Sequence, residues 1–355
     1  MSEFQRLYDL TDHAAGVTAL ALSPDGGHLA VATADGILHL WKTKNGSLVG
    51  RSRGDTQILS ICWILSLPDT FICGTESGNV VTYTFSEASN ALNLLGFLAH
   101  RYPVDCMASN AELVVTGAGE ELRVWEWRVD KPWVVVSDIP ERPSLDGEEG
   151  TEVLVTSVAW ASNDEGRRVL LVAYLRHGLR LFDATTWSCI RTIPVDGAIL
   201  RASISNDHKF ISVSNLGVGF EIYSIRSGQL ARSFDVTNMK RAVPAVFSND
   251  DRYLVCGSEI GEVVVWDVFS GSKIQTLLHH RHDKVLSIDV SGPGSGRSHV
   301  IAAGVFDELQ PYVAVWSRDA LIPNEEAPQH FGDNALVWAL VLVGGLTLSA
   351  MFSST

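Results

Sequence analysis

The stretch that decides the fold runs from His13 to Trp41 and reads HAAGVTALALSPDGGHLAVATADGILHLW. Residues 17–22 read as an alternating strand, 23–27 as a turn, 29–33 as a second strand, Asp35-Gly36 as a tight turn, and a third strand closes on Trp41. Side chains alternate faces along a strand, and Gly supplies the positive φ that tight hairpins need. Period-two alternation broken by Pro-Asp-Gly and Asp-Gly therefore predicts an antiparallel meander.

The unit recurs. Third-strand aromatics fall at Trp41, Tyr83, Trp125, Phe182, Tyr223, Trp266 and Trp316, with separations of 42, 42, 57, 41, 43 and 50 residues. Four of the six gaps lie in the about 40–45-residue period of a four-stranded propeller blade. The two longer gaps hold insertions: 137–152, rich in Pro, Gly and acid, and 291–298, a Gly/Ser hairpin connection. Both read as solvated loops, the first also as an acidic docking strip near a rim. Seven aromatics predict seven blades.

His13, Ser23-Pro24-Asp25, Thr33, Asp35 and Trp41, together with the Trp266-Asp267 pair that ends VFSNDDRYLVCGSEIGEVVVWD, resemble the WD40-repeat family over about residues 4–318. Only one blade ends in Trp-Asp, and Tyr or Phe replaces Trp in three. The resemblance implies an all-β, seven-bladed propeller. It also implies that residues 4–10 supply the outer strand of the last blade, leaving no free edge at the closure. His13, Thr33, Asp35 and Trp41 match the family's structural hydrogen-bonded tetrad, of which His100 and Ser258 are fragments in other blades. That set is structural, not a hydrolase triad, because no GxSxG elbow accompanies it.

Composition narrows the function. The apolar fraction of 46% is ample for a large core, and a net charge of −14 argues against a nucleic-acid backbone as partner and favours basic ones. Five cysteines (Cys62, Cys73, Cys106, Cys189, Cys256) form no CxxC and no zinc spacing, as suits a reducing compartment. MSEFQRLYDL has no signal-peptide core. His279, His280 and His282 around Arg281 lack a partnering Cys or carboxylate, so a rim loop is expected and no metal. With His100, Arg101, Tyr102, Arg176 and His177 they are expected to line one binding face, Arg and Tyr being favoured interface anchors. No cofactor, small-molecule substrate or nucleic acid is expected.

Past residue 318 a polar linker (319–334) leads to ALVWALVLVGGLTLSAMF, residues 335–352. This segment opens at Ala335, carries Trp338, Val341 and Gly344-Gly345, ends at Phe352, and contains no charge. Its apolar residues cover every helical face, and 18 residues at ~1.5 Å rise reach about 27 Å, enough for a thin bilayer. The expectation is one transmembrane helix, a tail anchor holding a cytosol-facing propeller on an intracellular membrane, the endoplasmic reticulum favoured.

The function expected is a non-enzymatic scaffold recruiting cytosolic partners to that membrane. One alternative is a guanine-nucleotide exchange factor for a small GTPase at the endoplasmic reticulum, by likeness of layout. Another is a substrate receptor of a cullin-ring ubiquitin ligase, because LVVTGAGEELRVWEWR (113–128) resembles an adaptor-docking box, with Glu126 where Asp is usual.

Overall fold

The computed structural model describes residues 3–86, 91–111, 113–128, 133–139, 152–163, 165–235, 240–241, 243–248, 250–278, 284–291, 299–306 and 311–318. They form seven four-stranded antiparallel sheets. The inner strands, in blade order, are Val17–Leu22, Ile58–Trp63, Cys106–Ser109, Val155–Ser162, Ile199–Ile204, Ala245–Phe247 and Lys284–Val290. The outer strands are Ser47–Arg53, Ala91–Leu98, Val134–Asp138, Cys189–Ile193, Leu230–Asp235, Lys273–Leu278 and, for blade seven, the N-terminal Gln5–Leu10.

The closure is the one expected. Gln5–Leu10 runs antiparallel to Val313–Ser317, with Arg6 opposite Trp316 and Leu10 opposite Val313. Phe4, buried, gives its N–H to Gln275 Oε1 and receives Gln275 Nε2–H on its carbonyl, both at 2.9 Å. The N-terminus is thus tied to blade six as well as to blade seven.

The core lies between blades, not within them. Leu38, Leu40, Phe71 and Tyr83 join blades one and two, and Val17, Trp41, Val300 and Val315 join blade seven to blade one. Each sheet covers its neighbour, so both faces of the middle strands are apolar and the alternation seen in single-faced sheets is muted. Hydroxyls on the inner strands stitch the ring: Thr18 Oγ1 donates to the Ile58 carbonyl at 2.7 Å, Ser60 Oγ to Val104 at 2.7 Å, and Ser203 Oγ to Ala245 at 2.9 Å.

A register shift sits beside the third-strand aromatic in six blades, at Trp41, Trp125, Phe182, Tyr223, Trp266 and Trp316. Blade two runs without one, Asn79 to Ser86 pairing Leu98 to Ala91 residue by residue. The insertion expected over 137–152 begins later than its composition suggests. Ser137 and Asp138 complete an outer strand, where Arg123 Nε holds the Asp138 carboxylate at 2.8 Å, and 140–151 lie outside the described residues. The expected hairpin connection starts with Ser291 described and buried, while 292–298 lie outside. The linker and the expected transmembrane helix, including Ala335, Trp338, Val341, Gly344, Gly345 and Phe352, lie outside the described residues as well. Among the described residues no helix is long and apolar enough to cross a membrane.

Candidate protein-interaction face

Strand register locates the tetrad position. In blade three Val114 faces Trp125, and Thr116 lies two residues on along the same strand. Trp125 Nε1–H donates to Thr116 Oγ1 at 2.7 Å, Thr116 Oγ1 lies 2.6 Å from His100 Nε2, and His100 Nδ1 lies 3.0 Å from Glu121 Oε2. The relay fixes the tautomer. Thr116 has one proton and gives it to Nε2, so Nδ1 carries the imidazole proton and donates it to Glu121. Burial lowers the His100 pKa, which keeps the ring neutral. Burial works to raise the Glu121 pKa, but the hydrogen bonds from His100 and the Arg101 amide win and hold it below its ordinary value.

The tetrad expected in blade one does not close. Thr33 Oγ1 does donate to Asp35 Oδ1 at 2.6 Å. However, Leu29 faces Trp41, so the position matching Thr116 is Val31, not Thr33. His13 stands edge-on to Trp41 at 5.9 Å and 78°, much as His100 stands to Trp125 at 6.3 Å and 82°. With a methyl where the hydroxyl belongs, neither His13 ring nitrogen nor Trp41 Nε1 finds a partner among the described residues. His39 stacks on Trp41 instead, at 5.9 Å and 22°. The same position carries Cys73, Val172, Val213, Cys256 and Ala303 in the other blades, all fully buried. Trp266, opposite Leu254 and thus above Cys256, is likewise left without an acceptor.

His100 and His177 were expected on the binding face, but both are buried, at 2% and 5% exposure. His100 serves the tetrad. His177 occupies the interior of the turn whose exposed residue is Arg176. Arg101 and Tyr102 do reach solvent, with the Arg101 side chain 87% exposed and its backbone N–H on Glu121 Oε2 at 3.3 Å. The Tyr102 ring rests over Gly119, whose φ of +56° lets the turn pass beneath it. His280, Arg281 and His282 lie outside the described residues.

The His100–Glu121 contact shows that blade-to-blade loops and second-to-third-strand turns share one end of the ring. Arg176 lies in such a turn, hence on the same end as Arg101 and Tyr102. Five other residues there are not among the expected site residues. Leu216 and Val218 are 38% and 40% exposed in the blade-five turn, where polar residues would be expected. Glu259 Oε1 accepts the backbone N–H groups of Lys240 and Arg241, fixing two exposed cations over blade six.

The channel between the inner strands holds a cavity of about 220 Å³. Arg201 crosses it to the Asp105 carbonyl at 3.3 Å, and burial raises the Asp105 carboxyl pKa while Arg201 opposes the rise. Among the described residues no three His, Cys, Asp or Glu side chains could hold a metal ion. At the opposite mouth a wider cavity of about 650 Å³ is lined by Trp63, Leu65, Trp160, His208 and Asp289. In the adaptor-like segment Arg128 turns back onto Glu126 at 2.6 Å, so the pair satisfies itself.

Comparison with known proteins agrees with this geometry. The model of the WD domain, G-beta repeat, matches residues 4–42. The chain is 26% identical over 120 residues to mouse Protein Atg16l2, covering 33% of this chain and 19% of that one. It is 31% identical over 114 residues to yeast Target of rapamycin complex subunit LST8, covering 32% of this chain and 37% of that one. It is 22% identical over 323 residues to the Ribosome biogenesis protein WDR12 homolog of Drosophila yakuba, covering 86% of this chain and 73% of that one. The first relatives are thus matched over well under half of their own length.

Proposed function

We propose that this chain, a WD40-repeat β-propeller, is a non-enzymatic interaction scaffold that recruits cytosolic partners to an intracellular membrane, the endoplasmic reticulum in first place. The observation that carries the reading is the end of the ring bearing Arg101, Tyr102 and Arg176, with Leu216 and Val218 exposed on the same end. The buried His100–Thr116 hydrogen bond and the Arg101 amide's bond to Glu121 hold the loop of Arg101 and Tyr102, so these anchors are presented with little ordering cost on binding. The relatives named above include a complex subunit and a ribosome biogenesis protein, roles in keeping with a platform. The uncharged residues 335–352 supply the membrane attachment.

The test is proximity labelling in cells with the full-length protein, a double variant Arg101→Glu/Arg176→Glu, and a Val341→Arg variant. The double variant is expected to lose named neighbours while staying on the membrane. Val341→Arg is expected to shift the protein towards the soluble fraction on carbonate extraction, at a cost of about 3 kcal/mol for a centred Arg. An unchanged neighbour set in the double variant would overturn the face. A full-length protein that is soluble throughout would overturn the anchor.

A further inference from the structure

A propeller hides its sheets from one another, but each blade leaves one outer edge in solvent. Proteins blunt such edges with charges, bulges or short strands, because an unpaired row of N–H and C=O groups templates further pairing. Six of the seven outer strands here carry both devices. Each has at least one of Arg, Lys or Asp: Arg6, Arg51, Asp138, Arg191, Arg232 and Lys273. Each also has the register shift beside its aromatic neighbour.

Blade two has neither. Its outer strand Ala91–Leu98 reads ALNLLGFL, is eight residues long against five to seven in the others, and pairs without a shift. Leu94, Leu95 and Leu98 are 57%, 50% and 73% exposed. Among the described residues the outer strand of blade three exposes two such residues, Val135 and Val136 at 44% and 45%, and Leu48 of blade one and Ile190 of blade four are single ones. Leu94 and Leu98 also border a groove of about 500 Å³ against blade one.

We propose that this edge pairs with the same edge of a second copy of the chain, antiparallel and centred on Leu95. In a two-fold pairing any charge on the strand faces its own copy or a near neighbour, and like charges directly opposite destabilise a sheet. An uncharged edge is free of that penalty. Centring on Leu95 sets Leu94 opposite Gly96 of the other copy and Leu98 opposite Leu92, so each exposed leucine meets a gap or another leucine. Blade two itself would accept a side chain at Gly96, where an added Cβ would meet only Val81 and Val80, at 3.4 Å or more. The glycine is thus not required by its own sheet, and the pairing gives it a purpose. The chain's charge of −14 opposes association only weakly at physiological salt, where screening acts over about 8 Å.

Oxidation of full-length Leu95→Cys should give a covalent dimer on a non-reducing gel. Leu48→Cys, equally on an outer strand, and the wild type should give none. As a second arm, full-length Leu95→Glu and Leu95→Lys should each run as monomers by light scattering and form dimers when mixed in equal amounts, both with wild-type melting curves. Cross-linking of Leu95→Cys no faster than Leu48→Cys overturns the proposal. So does a wild type that stays monomeric at tens of micromolar, including the case in which a strand from another protein covers the edge.

Discussion

The indole N–H of Trp125 meets the Thr116 hydroxyl at 2.7 Å, and the corresponding place beneath Trp41 is filled by Val31. The two blades otherwise present the same histidine over the same tryptophan. One hydroxyl therefore decides whether two buried polar groups, the indole N–H and one imidazole nitrogen, are satisfied.

Thr116→Val keeps shape and removes both hydrogen bonds, leaving Trp125 Nε1–H and His100 Nε2 buried without partners. The expected loss is about 1–3 kcal/mol in urea unfolding. Amide exchange should quicken around Arg101, whose N–H rests on Glu121. Unchanged stability would show that the relay adds nothing to the fold.

Val31→Thr is the reverse experiment. A buried hydroxyl is ordinarily costly, but here Trp41 Nε1 and His13 stand ready to receive it. The variant should be more stable by about 1 kcal/mol, the net worth of a typical hydrogen bond. A Val31→Thr protein destabilised by more than that would mean His39, stacked on Trp41, blocks the hydroxyl.

Two groups, the half-buried Asp289 and the buried His13, give the ring opposite pH dependences. Burial pushes the Asp289 carboxyl from 3.8 up to about 6, only partly offset by the Leu22 and Val290 amides it accepts. The folded chain holds this proton more tightly than the unfolded one. The contribution is therefore complete below pH 3.8 and is lost as pH rises through about 6, an effect on the order of 3 kcal/mol by pH 7. Asp289→Asn, which still accepts from Leu22, should match wild type near pH 4 and exceed it at pH 7.5. Burial, helped by His39, lowers His13 from 6.5 to about 4, so its contribution is present above pH 6.5 and lost as pH falls. His13→Phe should flatten that acid limb of the urea-midpoint profile and leave the Asp289 limb in place.

The ring itself was legible in the sequence because each third strand needs a large aromatic where it meets a neighbouring blade, and seven such residues stand at blade spacing. The tetrad was not. Thr33 and Asp35 sit in the family's pattern, but only strand register reveals that Val31 faces the site. In blade three the carboxylate comes from Glu121, at the first position of the third strand, while Gly119 stands where Asp35 does. A longer side chain reaches the same imidazole from two residues further on, which a fixed-spacing motif does not find. His100 and His177 looked like rim residues because histidine in a polar loop is ordinarily exposed. His100 is buried by Thr116, Glu121 and Trp125 of the blade its loop leads into, residues far from it along the chain. The unguarded edge of blade two needed pairing to be seen, since ALNLLGFL reads as an ordinary apolar strand until its six counterparts are set beside it.

The closing contact can be tested from its blade-six side, at Gln275 on the outer strand Lys273–Leu278. Gln275→Leu keeps the volume of the side chain but deprives the Phe4 N–H and C=O of both partners, in a part-buried setting. A loss of about 1–3 kcal/mol is expected, and it should appear first as faster amide exchange in 5–10 and 313–317, the strand pair that Phe4 leads into. Removing residues 1–10 altogether goes further. It uncovers the outer edge of Val313–Ser317 and strips Leu10 from the cluster it shares with Val17, Trp41 and Val315. The truncated protein should melt well below the full chain and aggregate, because an apolar strand edge then lies open. A synthetic peptide of residues 1–12 added in trans should restore a cooperative melt. If the truncation melts with the full chain, blades one and seven hold the ring shut without the N-terminal strand, and the closure assigned to it is wrong.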